Sequence, residues 1–131
     1  MNDKNSIESL KKIISLVEQL RGENGCPWVK EQTFVKHIDE LKKEVQEVED
    51  AIGNGDKNNL EEELGDVLWD LLMLIKISED EYGFKLEDII NEICKKMIRR
   101  KPYIFGDEKA DTIEEANKIW KRVKEEEKKS F

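Results

Sequence analysis

The stretch EELGDVLWDLLMLIKI, residues 62–77, decides how this chain folds. From Val67 to Ile77 only Asp70 and Lys76 are charged. The apolar residues fall at every helical phase, so a helix here is apolar on nearly every side. The flanks extend it to Lys57–Tyr82, between the Gly-Asn-Gly-Asp turn at residues 53–56 and Gly83, a glycine placed to cap a helix end. A helix this apolar needs cover from several neighbours. The remaining sequence supplies them only in part, which predicts burial at the centre of an oligomer.

Outward from that segment the pattern stays helical. A helix is expected from about Thr33 or Phe34 to Ile52, with Phe34, Val35, Ile38, Leu41, Val45, Val48 and Ile52 as its apolar residues. Another runs from Ser6, a plausible N-cap, to Leu20, with Ile7, Leu10, Ile13, Ile14 and Val17 spaced by threes and fours. Cys26-Pro27-Trp28 reads as an irregular loop. Leu86 to Arg100 is a fourth helix, stopped by Pro102. Tyr103 to Asp111 reads as a loop. Thr112 then caps a last helix to about Lys128, with Glu115 placed for a capping box. The expected fold is all-α, an antiparallel bundle of four to five helices assembled as an oligomer, with residues 1–131 as one domain.

Composition narrows the function. Of 131 residues, 41% are charged, and the net charge is −8. That balance argues against duplex DNA or an anionic membrane as partner, since both need clustered bases. No apolar run reaches the ~20 residues that span a bilayer. The first dozen residues lack the apolar stretch of a signal peptide, so the expected location is the cytoplasm. Cys26 and Cys94 are expected as free thiols. With His37 they are the only soft ligands and show no paired spacing, which argues against a structural zinc site. His37 has no evident partner and reads as a surface or boundary residue.

The acids are arranged. Glu40, Glu44 and Glu47 share one face of the second long helix, and Glu63, Asp66 and Asp70 one face of the third. Two helices joined by a short turn pack antiparallel, so Glu44-x-x-Glu47 can face Glu63-x-x-Asp66. Val45, Val48, Leu64 and Val67 beside them suggest the edge of a core. Gly65 in mid-helix suggests a close approach to the backbone. Four carboxylates about 6 Å apart repel, and a divalent cation removes that repulsion. All-oxygen ligands select a hard ion, Mg2+ or Mn2+. A solvated acidic surface is the plainer alternative.

Several segments, in order, resemble the MazG family of nucleoside triphosphate pyrophosphohydrolases, of the all-α NTP pyrophosphatase superfamily. Gly25-Cys26-Pro27-Trp28-Val29-Lys30-Glu31-Gln32-Thr33 is similar to the family's CPWD-x-x-QT loop. Glu44 through Ile52 is similar to its E-x-x-E-v-x-DAI helix, and Glu62-Glu63-Leu64-Gly65-Asp66-Val67-Leu68 to its EELGD-x-L helix. Lys96 through Gly106 is similar to its K-x-x-RRHPHVFG segment, and Trp120 with Lys124 to its closing W-x-x-x-K. Val29 stands where the family has Asp, Lys43 where many members have a second Glu, and Lys101 and Tyr103 where it has histidines.

The resemblance implies hydrolysis of an NTP or dNTP to a monophosphate and pyrophosphate, a nucleotide-pool house-cleaning role, and dimers or higher homo-oligomers. It implies that Glu44, Glu47, Glu63 and Asp66 are catalytic and bind Mg2+, for which Mn2+ can substitute. Glu40 and Asp70, one turn away, would support those ligands. Trp28, Lys30 and Gln32 would contact the nucleoside, and Lys96, Arg99, Arg100 and Lys124 the phosphates. A lone reading of Lys96 to Lys101 as bases decorating a helix C-terminus stays open, as does Trp28 as a packing plug. Trp69 and Trp120 lie on apolar faces and read as core. Two rivals to the general hydrolase stand: a non-catalytic helical interaction module, and an enzyme narrow for one modified nucleotide or alarmone.

Overall fold

A computed structural model gives the structure of the protein and describes residues 1–130. Among the described residues there are seven helices and no strand: α1 (Lys4–Arg21), α2 (Pro27–Lys30), α3 (Phe34–Asn54), α4 (Lys57–Tyr82), α5 (Leu86–Arg100), α6 (Pro102–Phe105) and α7 (Ile113–Ser130). Five are long, as expected. The two extra ones are single turns at segments read as loops, each with Pro at its first position, where a missing N–H costs nothing. None of the described helices is long and apolar enough to cross a membrane.

The caps explain the boundaries. Asp3, not Ser6, caps α1; its side chain accepts from the Ser6 backbone N–H. Thr33 caps α3 and Asp56 caps α4, each accepting three residues on. Helix α3 runs through Gly53 and stops at Gly55, whose φ of 65° is left-handed. Thr112 accepts from Glu115 N–H, and the Glu115 carboxylate reaches back to the Asp111 N–H.

The chain divides into two compact units, Met1–Leu86 and the residues from Glu87 onward. In the first, α3 and α4 are the main packing pair, and α1 lies against α4. Val17, Val29, Met73 and Ile77 form the buried centre, with Leu20, Cys26, Phe34, Trp69 and Leu72 packed around it. Arg21 pins the segment that carries α2. One of its nitrogens donates to the carbonyls of Val29 (2.8 Å) and Gln32 (2.9 Å), and Nε donates to Asp80 (2.7 Å). Gly25 is required here, because a Cβ would collide with the Leu20 carbonyl that receives the Cys26 N–H. Both cysteines are free thiols.

In the second unit Val123 is buried, and Trp120 lies under two cations. The Arg100 guanidinium is 5.0 Å and the Lys101 ammonium 5.1 Å from its ring centre. Arg100 and Arg99 both donate to Glu127, Arg100 through two nitrogens. These bonds hold the Glu127 carboxyl down at about 2. A depressed carboxyl stabilises the folded state above its ordinary value and loses that contribution as pH falls through the folded one. Wild type is therefore expected to lose stability faster than Glu127→Gln as pH drops from about 5 to 2, with the two curves converging at the acid end. Thermal melts across that range check it, and parallel curves would remove Glu127 as a structural clasp.

The central helix α4 is not covered all round. Met73, Leu74 and Ile77 are buried, but Leu64, Leu68 and Leu71 are 53%, 39% and 44% exposed. They fall four and three residues apart, on one stripe.

Candidate metal and nucleotide site

Two acidic faces meet because α3 and α4 are joined by a turn of only two residues, Gly55 and Asp56. Glu44 from α3 and Glu63 and Asp66 from α4 each bring one carboxylate oxygen within 4.8 Å of the others. Three of the four acids expected to act together therefore converge. Glu47 does not join this group, and its side chain is exposed. Its charge still reaches Glu44 and Glu63.

The electrostatics show mutual repulsion. Partial loss of water holds the Glu44 carboxyl above its ordinary value, and the charges of Asp66, Asp70, Glu63 and Glu47 push it further. Glu63 is raised by desolvation, then by Asp66, Glu47 and Glu62; a hydrogen bond with Glu44 works the other way. The donors are all hard carboxylate oxygens, close enough to share one ion. That set fits Mg2+ or Mn2+ and fits zinc poorly.

Some expected supports of this cluster are wrong. A Cβ on Gly65 would meet nothing within 4 Å, so no close approach explains that glycine. Val45 and Leu64 are exposed in the chain rather than set at a core edge.

One turn from Asp66, Asp70 is buried on α4. Its carboxyl is raised by burial, with His37 pulling it down and Glu40 and Asp66 pushing it up. His37 is not a surface or boundary residue. It is 2% exposed, and its Nε2 lies 3.3 Å from Asp70 Oδ1. The contact is off the line of a hydrogen bond, and neither ring nitrogen has an aligned partner among the described residues. The His37 and Trp28 rings also meet in a T-shaped contact, with ring centres 6.4 Å apart at 64°. Trp28 is 55% exposed, so it is not a buried packing plug.

The other nucleoside-contact candidates are engaged with their own loop. Lys30 donates to the Glu23 carbonyl (2.9 Å), and Gln32 to the Trp28 carbonyl (3.4 Å). Lys96, Arg99, Arg100 and Lys124 all belong to the second unit. There Arg99 and Arg100 share Glu127, while Lys124 is exposed. Arg100 is thus more than a helix-end charge: it is half-buried, bonded to Glu127 and stacked on Trp120. Trp69 packs on the core of the first unit as expected.

Comparison with known proteins adds the family. Residues 32–105, more than half of the chain, match the MazG nucleotide pyrophosphohydrolase domain. The chain is 35% identical to the nucleoside triphosphate pyrophosphohydrolase of Escherichia coli K12 over 93% of its own length and 47% of that protein. It is 40% identical to the uncharacterized protein YabN of Bacillus subtilis, over 87% of its own length and 23% of that protein. The chain thus spans about half or less of these curated relatives. The crystal structure of a mazG-related protein from Thermotoga maritima superposes with a TM-score of 0.79 at 36% identity, covering 88% of this chain and 98% of that one. The motifs, the all-helical fold and these likenesses agree: the chain belongs to the MazG nucleotide pyrophosphohydrolase domain family.

Proposed function

We propose that this chain hydrolyses nucleoside triphosphates, ribo or deoxy, to a monophosphate and pyrophosphate. The observation that carries this reading is the convergence of Glu44, Glu63 and Asp66 across the α3–α4 pair. These three would hold Mg2+ or Mn2+, with Glu47 completing the set by a side-chain rotation. A bound divalent cation would neutralise phosphate charge and lower the cost of attack at the α-phosphorus.

The chain's own residues do the rest. Glu44 or Glu47, beside the attacking water, would take its proton. Trp28 offers an exposed ring for a base to stack on, with Lys30 and Gln32 at its loop. Lys96, Arg99, Arg100 and Lys124 supply cations for the polyphosphate, Arg as a planar fork. Residues 1–131 act as one domain, as at least a dimer, in a cytoplasmic role on the nucleotide pool.

Release of pyrophosphate from the eight common NTPs and dNTPs, with Mg2+ and with EDTA, tests this. Turnover that needs the metal is expected. No release from any of the eight would leave a narrow substrate or the non-catalytic interaction module.

A further inference from the structure

We propose that His37 is a positioning residue that serves both halves of this site: its ring orients the Trp28 indole as a base platform, and its Nε2 steadies Asp70 behind the carboxylate ligands. The inference rests on the reading of Glu44, Glu63 and Asp66 as metal ligands.

The burial of His37 calls for a reason. Both ring nitrogens are removed from water and lack an aligned hydrogen bond, which costs stability. A leucine fills a similar space without that cost. What leucine lacks are the two contacts the imidazole makes. One is with Asp70, whose buried carboxylate oxygen Oδ1 lies 3.3 Å from Nε2. The other is edge-on with Trp28, a geometry set by the aromatic quadrupoles.

The placement suits both roles. His37, Glu40 and Glu44 share one face of α3, and Asp66 and Asp70 one face of α4. His37 stands about 10 Å along α3 from Glu44, at 1.5 Å per residue. Trp28 lies against it, with ring centres 6.4 Å apart. A nucleotide with its phosphates at the carboxylates and its base on Trp28 would run along this line, with His37 beneath it. The imidazole meets Asp70 of α4 and the uncharged Trp28 of α2, and the charge of Glu40, on α3, acts on Asp70. Metal-site studies show that partners behind the ligands matter, typically by 10–100-fold in affinity.

Two substitutions separate the roles. His37→Gln keeps a polar partner for Asp70 and removes the ring. His37→Phe keeps the ring and removes the nitrogen. Calorimetry with Mn2+ alone reads the metal site, and KM for ATP, GTP, CTP and UTP at saturating Mn2+ reads the base platform. His37→Phe is expected to weaken Mn2+ binding about tenfold and to leave KM near wild type. His37→Gln is expected to bind Mn2+ within about twofold and to raise KM about fivefold or more, by the loss of the ring contact. Equal losses of both properties in both variants, unfolding of both, or no change in either would reduce His37 to a space-filling residue. Absence of Mn2+ binding by the wild-type protein would instead sink the ligand reading, and this inference with it.

Discussion

Glu63→Gln and Asp66→Asn are each expected to cut pyrophosphate release by at least about 10³-fold, the scale of a lost metal-borne charge, while far-UV circular dichroism stays unchanged. Each isostere keeps its volume and its place on α4 but removes a hard anionic ligand. Stability should move the other way. Glu44 and Glu63 are both held above the ordinary carboxylate value, in part by each other's neighbours. An acid whose folded value is raised favours the folded state only while protonated, and that contribution is lost as pH rises. In EDTA at neutral pH, then, the wild-type cluster repels itself, and Glu63→Gln relieves it. The melting temperature of Glu63→Gln in EDTA should equal or exceed that of wild type. With Mg2+ the order should reverse, because on the proposed reading only the intact set would bind the ion, which would stabilise the fold by mass action. Near-wild-type activity in either variant would show that these carboxylates are not the metal site.

How much of this was legible in the sequence depended on which signals are local. Asp56, Gly83 and Pro102 fix α4 as Lys57–Tyr82 and the end of α5 at Arg100, and these bounds match. Each is set by caps or breakers next to the helix. The one-turn helices at Pro27 and Pro102 escaped because four residues show no periodicity. Spacing placed Glu44, Glu47, Glu63 and Asp66 on facing sides, and three of them meet. It could not set side-chain reach, which leaves Glu47 outside the group. His37 was missed because a lone histidine carries no pattern. Its i, i+3, i+7 relation to Glu40 and Glu44 was the signal that could have placed it on the acidic face. The clasp of Arg100 on Glu127 joins residues 27 apart, beyond any helical repeat.

Leu71→Glu is expected to give monomers or insoluble protein, and to lose activity. The single chain leaves an apolar stripe on α4 open: Leu64, Leu68 and Leu71, with the last 44% exposed. Along α1, Ile7 and Leu10 are exposed as well. Between the two helices runs a groove of about 690 Å³, lined by Met1, Leu10, Ile13 and Leu68 among others. The opposite side of α4 buries Met73, Leu74 and Ile77 and carries Glu63 and Asp66 of the carboxylate cluster. In the proposed dimer the uncovered stripe would meet a second copy, since a two-fold axis lets one strip pack against itself. Each half-exposed leucine that becomes covered contributes about 1 kcal/mol, half the value for full burial, and every residue counts twice across the axis. A buried glutamate at position 71 would face its own copy with like charge, so the interface loses both apolar area and tolerance. Light scattering should report at least twice the 15.4 kDa chain mass for wild type. The variant should run at the chain mass or precipitate. A stable wild-type monomer that is active at micromolar concentration would exclude the assembly and leave this apolar stripe without a role.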